Sequence, residues 1–267
     1  MNPLEPVCDR KRNAHRPKHD MNPQESSTPR PFAMVRSTLR PVRQVLARIF
    51  RPSPPFSVHS FSQDGEDMLL RGVFEGQATG FYVDVGAHHP QRFSNTHYFY
   101  LSGWRGINID AMPGSMGPFQ QLRPRDINLE IGVSESAGML TYYAFNDSAL
   151  NGFSKEVADR ITASGQYQLQ FTKPVPSRPL SEILDEYLPV NQTIDFLTID
   201  VEGLDDAVLR SNNWEKYRPR VILAESLHVT HTSGTQFLKS LGYREICSSL
   251  RTQFFCREDF ATRRSWL

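Results

Sequence analysis

Acidic residues in this chain recur where short apolar runs stop, and that is where a reactive ligand is most easily held. The first case is Val83-Asp84-Val85-Gly86-Ala87-His88-His89. Asp84 is in reach of a cationic ligand group, and Gly86 lets the backbone turn tightly and approach a ligand closely. The full GxGxxG pattern is absent, because Gly86 is followed by Ala87, His88 and His89. The diphosphate cradle of a nicotinamide dinucleotide site is therefore not supported. One acid and one glycine suit a ligand with an amino-acid moiety and no phosphates; the plain alternative is an ordinary strand-turn-helix. Asp110 closes a second apolar run 26 residues after Asp84, about the length of one βαβ unit. An acid there can accept hydrogen bonds from both hydroxyls of a ribose, and the alternative is an aspartate in a turn.

The third case is Ile199-Asp200-Val201-Glu202-Gly203. Asp200 and Glu202 could orient a substrate hydroxyl, act as general base, or hold a divalent cation. They could equally be helix-start acids, together with Asp205 and Asp206. The histidines His88, His89, His228 and His231, with Glu225, form a fourth group. His228 is expected at the same sheet edge as Asp200, where a neutral imidazole can serve as a base. These histidines match no metal-binding spacing.

Acids at the ends of apolar runs form one site only if the runs are neighbouring parallel strands. The chain alternates accordingly. Ser62 is placed to cap a helix over about 63–74, with Met68, Leu69, Val73 and Phe74 as its buried side. Strands follow at 81–85, 106–110 and 126–133, with helices at 95–101 and 113–122 between them. A strand at 139–145 is expected to hairpin onto 126–133 through 134–138. Residues 146–179 give no clear pattern. Helices at 181–187, 204–211 and 234–241 then alternate with strands at 194–199 and 220–224. Two strands, 243–248 and 252–257, close the chain. This predicts an α/β fold with a mostly parallel sheet, helices on both faces, and an antiparallel edge from the terminal hairpin.

Charge divides the chain in two. Residues 1–55 carry 11 Lys and Arg against 4 Asp and Glu, and the remainder carries 19 against 25. An acidic body argues against nucleic-acid backbone binding. Residues 1–31 are Pro-rich and polar and are expected to be disordered. Val35, Leu39, Val42, Leu46 and Ile49 recur at helical spacing among arginines, which predicts a basic amphipathic helix at about 32–51. Such a helix suits peripheral contact with the inner face of a membrane; the plain alternatives are a helix docked on the body or a solvated linker. Arg51-Pro-Ser-Pro-Pro55 marks a boundary, with the folded domain starting near Phe56. Three cysteines without motif spacing, no apolar run of membrane length and a polar start point to a reduced, cytoplasmic setting.

In order along the chain stand Phe61-Ser-Gln-Asp-Gly-Glu-Asp67, Phe81-Tyr-Val-Asp-Val-Gly-Ala-His-His-Pro90, Phe93-Ser-Asn-Thr96, Gly103-Trp-Arg-Gly-Ile-Asn-Ile-Asp110 and Ile194-Asp-Phe-Leu-Thr-Ile-Asp-Val-Glu-Gly203. Together these resemble the FkbM methyltransferases over about residues 60–257. The resemblance implies a class I methyltransferase fold, Rossmann-like, with seven strands and the last antiparallel. It implies S-adenosylmethionine as methyl donor and a hydroxyl of a glycan or small secondary metabolite as acceptor. By motif, Asp84, Gly86 and Asn95 would contact the cofactor, the first two at its methionine end, and Asp110 its ribose. Asp200 and Glu202 would face the transferred methyl. A catalytically silent, membrane-associated adaptor on the same fold is the competing expectation.

Overall fold

The structure, a computed structural model, describes residues 56–201, 203–225 and 233–262. Nearly all of these belong to the compact unit Val58–Leu267. The expectations for 1–55, including the basic segment at 32–51, lie outside the described residues.

Seven strands form the main sheet: β1 (Phe81–Val85), β2 (Arg105–Asp110), β3 (Ile127–Glu130), β7 (Phe196–Ile199), β8 (Val221–Glu225), β9 (Tyr243–Ser248) and β10 (Thr252–Arg257). Their order is β3-β2-β1-β7-β8-β10-β9. The first five run parallel, and β10 is antiparallel to both its neighbours. Chain order reverses between β1 and β7, which opens a crevice at their carboxyl ends.

The core explains why the apolar runs are continuous. Phe81, Val83 and Val85 face one side, among residues of the helices α5 (Leu180–Tyr187), α6 (Asp205–Arg210) and α7 (Ser233–Ser240). Tyr82 faces the other, among residues of α1 (Glu66–Val73) and α2 (His97–Leu101), with Trp104 and Phe196. A strand covered on both faces has no polar side to show, and each large apolar side chain so buried contributes about 1.5–3 kcal/mol. The α/β Rossmann-like architecture is thus as expected. Among the described residues no helix is long and apolar enough to cross a membrane.

Three local expectations are corrected. Met68 and Leu69 are each 37% exposed, whereas Glu66 and Asp67 are buried. The inward acids are satisfied: Asp67 accepts from Ser60 Oγ, Ser62 Oγ and the Phe61 amide, and Glu66 from Ser249 Oγ and Thr252 Oγ1. Ser62 accepts the Asp67 amide at 3.2 Å, but the residue at the N-cap is Gly65, with left-handed φ of 87°, and the helix begins at Glu66.

Residues 126–133 are not one strand paired with 139–145. After β3 the chain leaves the main sheet, and β4 (Gly132–Val133) joins a second sheet of order β4-β6-β5, with β5 at Gly138–Phe145 and β6 at Leu169–Arg178. Pro174 and Pro176 disguise β6 in the sequence. β4 pairs with β6 only at Ser177 and Arg178, so beside the prolines that side is an edge, where a missing N–H costs no ladder bond. Helix α4 (Lys155–Ala163) lies between β5 and β6, and α3 (Met116–Leu122) precedes β3.

The terminal hairpin adds its antiparallel strand inside the sheet, with β9 as the edge. Phe254 and Cys256 pack on one face and Phe255 on the other, so β10 requires cover on both. Helix α8 (Glu258–Ala261) follows it.

Candidate active site

The carboxyl ends of β1, β2 and β7 open into a cleft of about 860 Å³, a volume that includes the solvent at its mouth. Gly86, His88, Asp110 and Asp200 line it. Its apolar lining comes from the loop after β2 (Met112), the link between β3 and β4 (Ile131), β5 (Tyr142) and the segment between β5 and α4 (Phe153). Asn151 ties these parts together, accepting the Phe145 amide at 2.7 Å and donating to Met112 Sδ at 3.6 Å.

Asp110 is organised by backbone. Its two oxygens accept the His88 and Met112 amides, each at 2.8 Å. Burial raises its proton affinity and these amides oppose the rise. A carboxylate offers about four acceptor sites, so capacity remains for ligand hydroxyls. The loop after β1 is stitched to the same place, with the Gly86 and Ala87 amides both donating to the Ile109 carbonyl.

Gly86 has φ of 85°, and a Cβ built there would stand 1.7 Å from the carbonyl oxygen of Asp200. The close approach that glycine allows is therefore to the loop after β7. The Asp200 amide donates to the Val85 carbonyl at 3.0 Å. Its carboxylate is accessible from the cleft, yet protein crowds out most of the surrounding water. That burial, then the charges of Glu225, Asp84 and Glu66, pushes its pKa up to about 7, with Arg251 opposing. A carboxyl balanced near neutrality suits proton transfer.

Asp84 and Asn95 are placed differently. Asp84 is 6% exposed, is not among the side chains lining the cleft, and accepts from Thr96 Oγ1. Asn95 donates to Thr198 Oγ1 at 3.0 Å, tying the loop before α2 to β7. His88 lines the cleft, and burial lowers its pKa, which keeps it neutral. His89 Nδ1 accepts the Gln91 and Arg92 amides, a turn role. Asp205 and Asp206 do occupy the first turn of α6, and burial followed by the Asp200 charge pushes Asp205 up to about 7. Glu202, His228 and His231 lie outside the described residues. Among the described residues, no three His, Cys, Asp or Glu side chains are placed to hold a metal ion together.

One buried cluster was not anticipated. Arg123, fully buried, pairs with Asp126 at 2.9 Å and donates to Tyr82 Oη at 2.8 Å. Asp126 also accepts from the Gly106 amide and Asn108. Its only trace in the sequence is the spacing of the two charges, three residues apart, after a helix. Arg123→Met should lower unfolding stability by about 3–5 kcal/mol, because Asp126 would be left buried without its cation. Denaturant unfolding at unchanged slope reads this, and a loss below about 1 kcal/mol would show that the pair is dispensable.

Compared with known families, residues 84–245 match the methyltransferase FkbM domain, more than half of the chain. No curated protein matches the sequence. Among solved structures, a TehB-like SAM-dependent methyltransferase from Corynebacterium glutamicum is 11% identical, with 84% of this chain and 98% of that one covered and a TM-score of 0.36. An O-methyltransferase from Bacillus cereus in complex with SAH is 13% identical, with 82% and 88% covered and a TM-score of 0.33. Likenesses this distant say nothing of ligand or reaction.

Proposed function

Because the chain belongs to the FkbM methyltransferase family, we propose that it moves the methyl group of S-adenosylmethionine to a hydroxyl oxygen of a glycan or small secondary metabolite. The observation that carries this is the joint placement of Asp110 and Asp200 on one cleft with an apolar lining. The donor set fits the cofactor. Asp110 has acceptor capacity for ribose hydroxyls. Met112, Ile131, Tyr142 and Phe153 offer a dry surface for an aromatic base. Asp200, on the cleft, complements a cationic ligand end directly, and Asp84, buried beside it, adds only the field of its charge.

When bound, S-adenosylmethionine supplies a methyl group on positively charged sulfur, already activated for transfer. This chain's residues must align the acceptor with it and exclude water. An alcohol is a poor nucleophile until its proton leaves. Asp200, ionised in part near neutrality, takes that proton on a carboxylate oxygen, an effect of about 10²–10⁴-fold in rate. Glu202, two residues on, is the second proposed acid at this position. The second sheet and the segment between its strands, which supply Tyr142, Asn151 and Phe153, shape the acceptor's access.

Incubation with methyl-labelled cofactor and hydroxyl-bearing acceptors tests the oxygen assignment. Label that survives mild alkali, as an ether does, is expected. Label released by alkali or found on nitrogen would contradict it.

A further inference from the structure

Asp84, next to last in β1, lies beside the cleft and takes a side-chain hydrogen bond from the loop before α2. Thr96 Oγ1 donates to Asp84 Oδ2 at 2.7 Å. The same Thr96 oxygen accepts from Arg123 Nη1 at 2.9 Å. A guanidinium only donates, so this second bond has a fixed direction. Ser94 Oγ, 3.2 Å from Thr96 Oγ1, already receives the Thr96 and His97 amides and Arg123 Nη1. Thr96 is thus surrounded by donors and has one proton, which it directs to Asp84. Every link points the same way, from Arg123 through Thr96 to a carboxylate that accepts.

We propose that Arg123 and Thr96 are positioning residues that hold Asp84 in place and in its ionised form, fixing a buried negative charge beside the cleft. Arg123 is anchored for this by Asp126 and Tyr82. Of the charged groups facing Asp84 from other elements, Arg123 favours ionisation, whereas Asp110 on β2, Asp126 before β3 and Asp200 after β7 oppose it. Burial opposes it most, and the balance stands at about 6, so the charge persists at neutral pH. The use of that charge, to attract the cationic end of the cofactor, rests on the function proposed above.

The test uses the full chain and reads Asp84 directly. Infrared titration of its carboxylate, assigned by difference from Asp84→Asn, should show ionisation complete by neutral pH in the wild type. Thr96→Val removes only the hydroxyl and should move the midpoint up by about 1 unit or more, since a bond to the charged form is lost. Thr96→Ser should restore it, which a packing role alone would not do. Calorimetry with S-adenosylmethionine should show binding to Thr96→Val weaker by about twofold or more at neutrality, as the ionised fraction falls, and recovering as pH rises. An unmoved midpoint, or an Asp84 still protonated at neutral pH in the wild type, overturns the proposal, and the wild-type result decides even if Thr96→Val does not fold. A midpoint that moves in a protein that never binds the cofactor supports the relay and refutes the cofactor reading.

Discussion

Gly86→Ala should be the most damaging single change at the cleft. The new Cβ would lie 1.7 Å from the Asp200 carbonyl oxygen, 2.7 Å from its carbon and 3.3 Å from Val201 Cγ1. The first two are backbone atoms and cannot swing aside. The left-handed φ adds about 1–2 kcal/mol for an L side chain, and forced repacking adds about 1–3 kcal/mol. Relief requires the ends of β1 and β7 to part, and these ends carry the cleft. A stability loss of about 2–5 kcal/mol with loss of cofactor binding is expected, read by denaturation and calorimetry. Gly103→Ala is the control, because its φ is 94° but nothing lies within 4 Å of the added atom. It should cost only the conformational part and leave binding intact. Equal effects from the two changes would refute the role given to the Gly86–Asp200 contact.

Asp200→Asn should reduce methyl transfer by about 10²–10⁴-fold, the range for a lost general base, with cofactor affinity far less affected. The pH profile carries the same information with a definite sign. A base works deprotonated, and Asp200 titrates at about 7. The wild-type rate should therefore rise through neutrality and level off above it, and fall as acid protonates the carboxyl. The Asn variant should lose that limb. A limb that survives the substitution would assign the titrating base elsewhere, with His88 the neutral group on the same cleft.

The main sheet was legible because its strands are covered on both faces, so the runs at 81–85, 106–110 and 194–199 are mainly apolar, broken by single polar residues such as Asn108 and Thr198. The acids that end them stood out against that background, and Asp110 and Asp200 do share a cleft. What escaped is what depends on distant partners. Glu66 and Asp67 point inward because hydroxyls wait for them, and two of those, on Ser249 and Thr252, lie more than 180 positions away. Strand β6 carries two prolines and a largely exposed pattern, so it resembles a loop until its edge position is known. Gly86 was recognisable as a turn glycine, but its need to clear Asp200 is a contact between strands far apart in sequence. Arg123 reaches Thr96, Tyr82 and Asp126 through the fold, and only the last is near it in the chain.

The central claim is that this cleft holds S-adenosylmethionine through Asp110, and calorimetric titration with S-adenosylhomocysteine and S-adenosylmethionine tests it most directly. Both should bind the wild type, and Asp110→Ala should weaken each by about 1–3 kcal/mol, the range for losing a polar partner. Absence of binding to folded wild-type protein, or equal binding by the Asp110→Ala variant, would contradict the account.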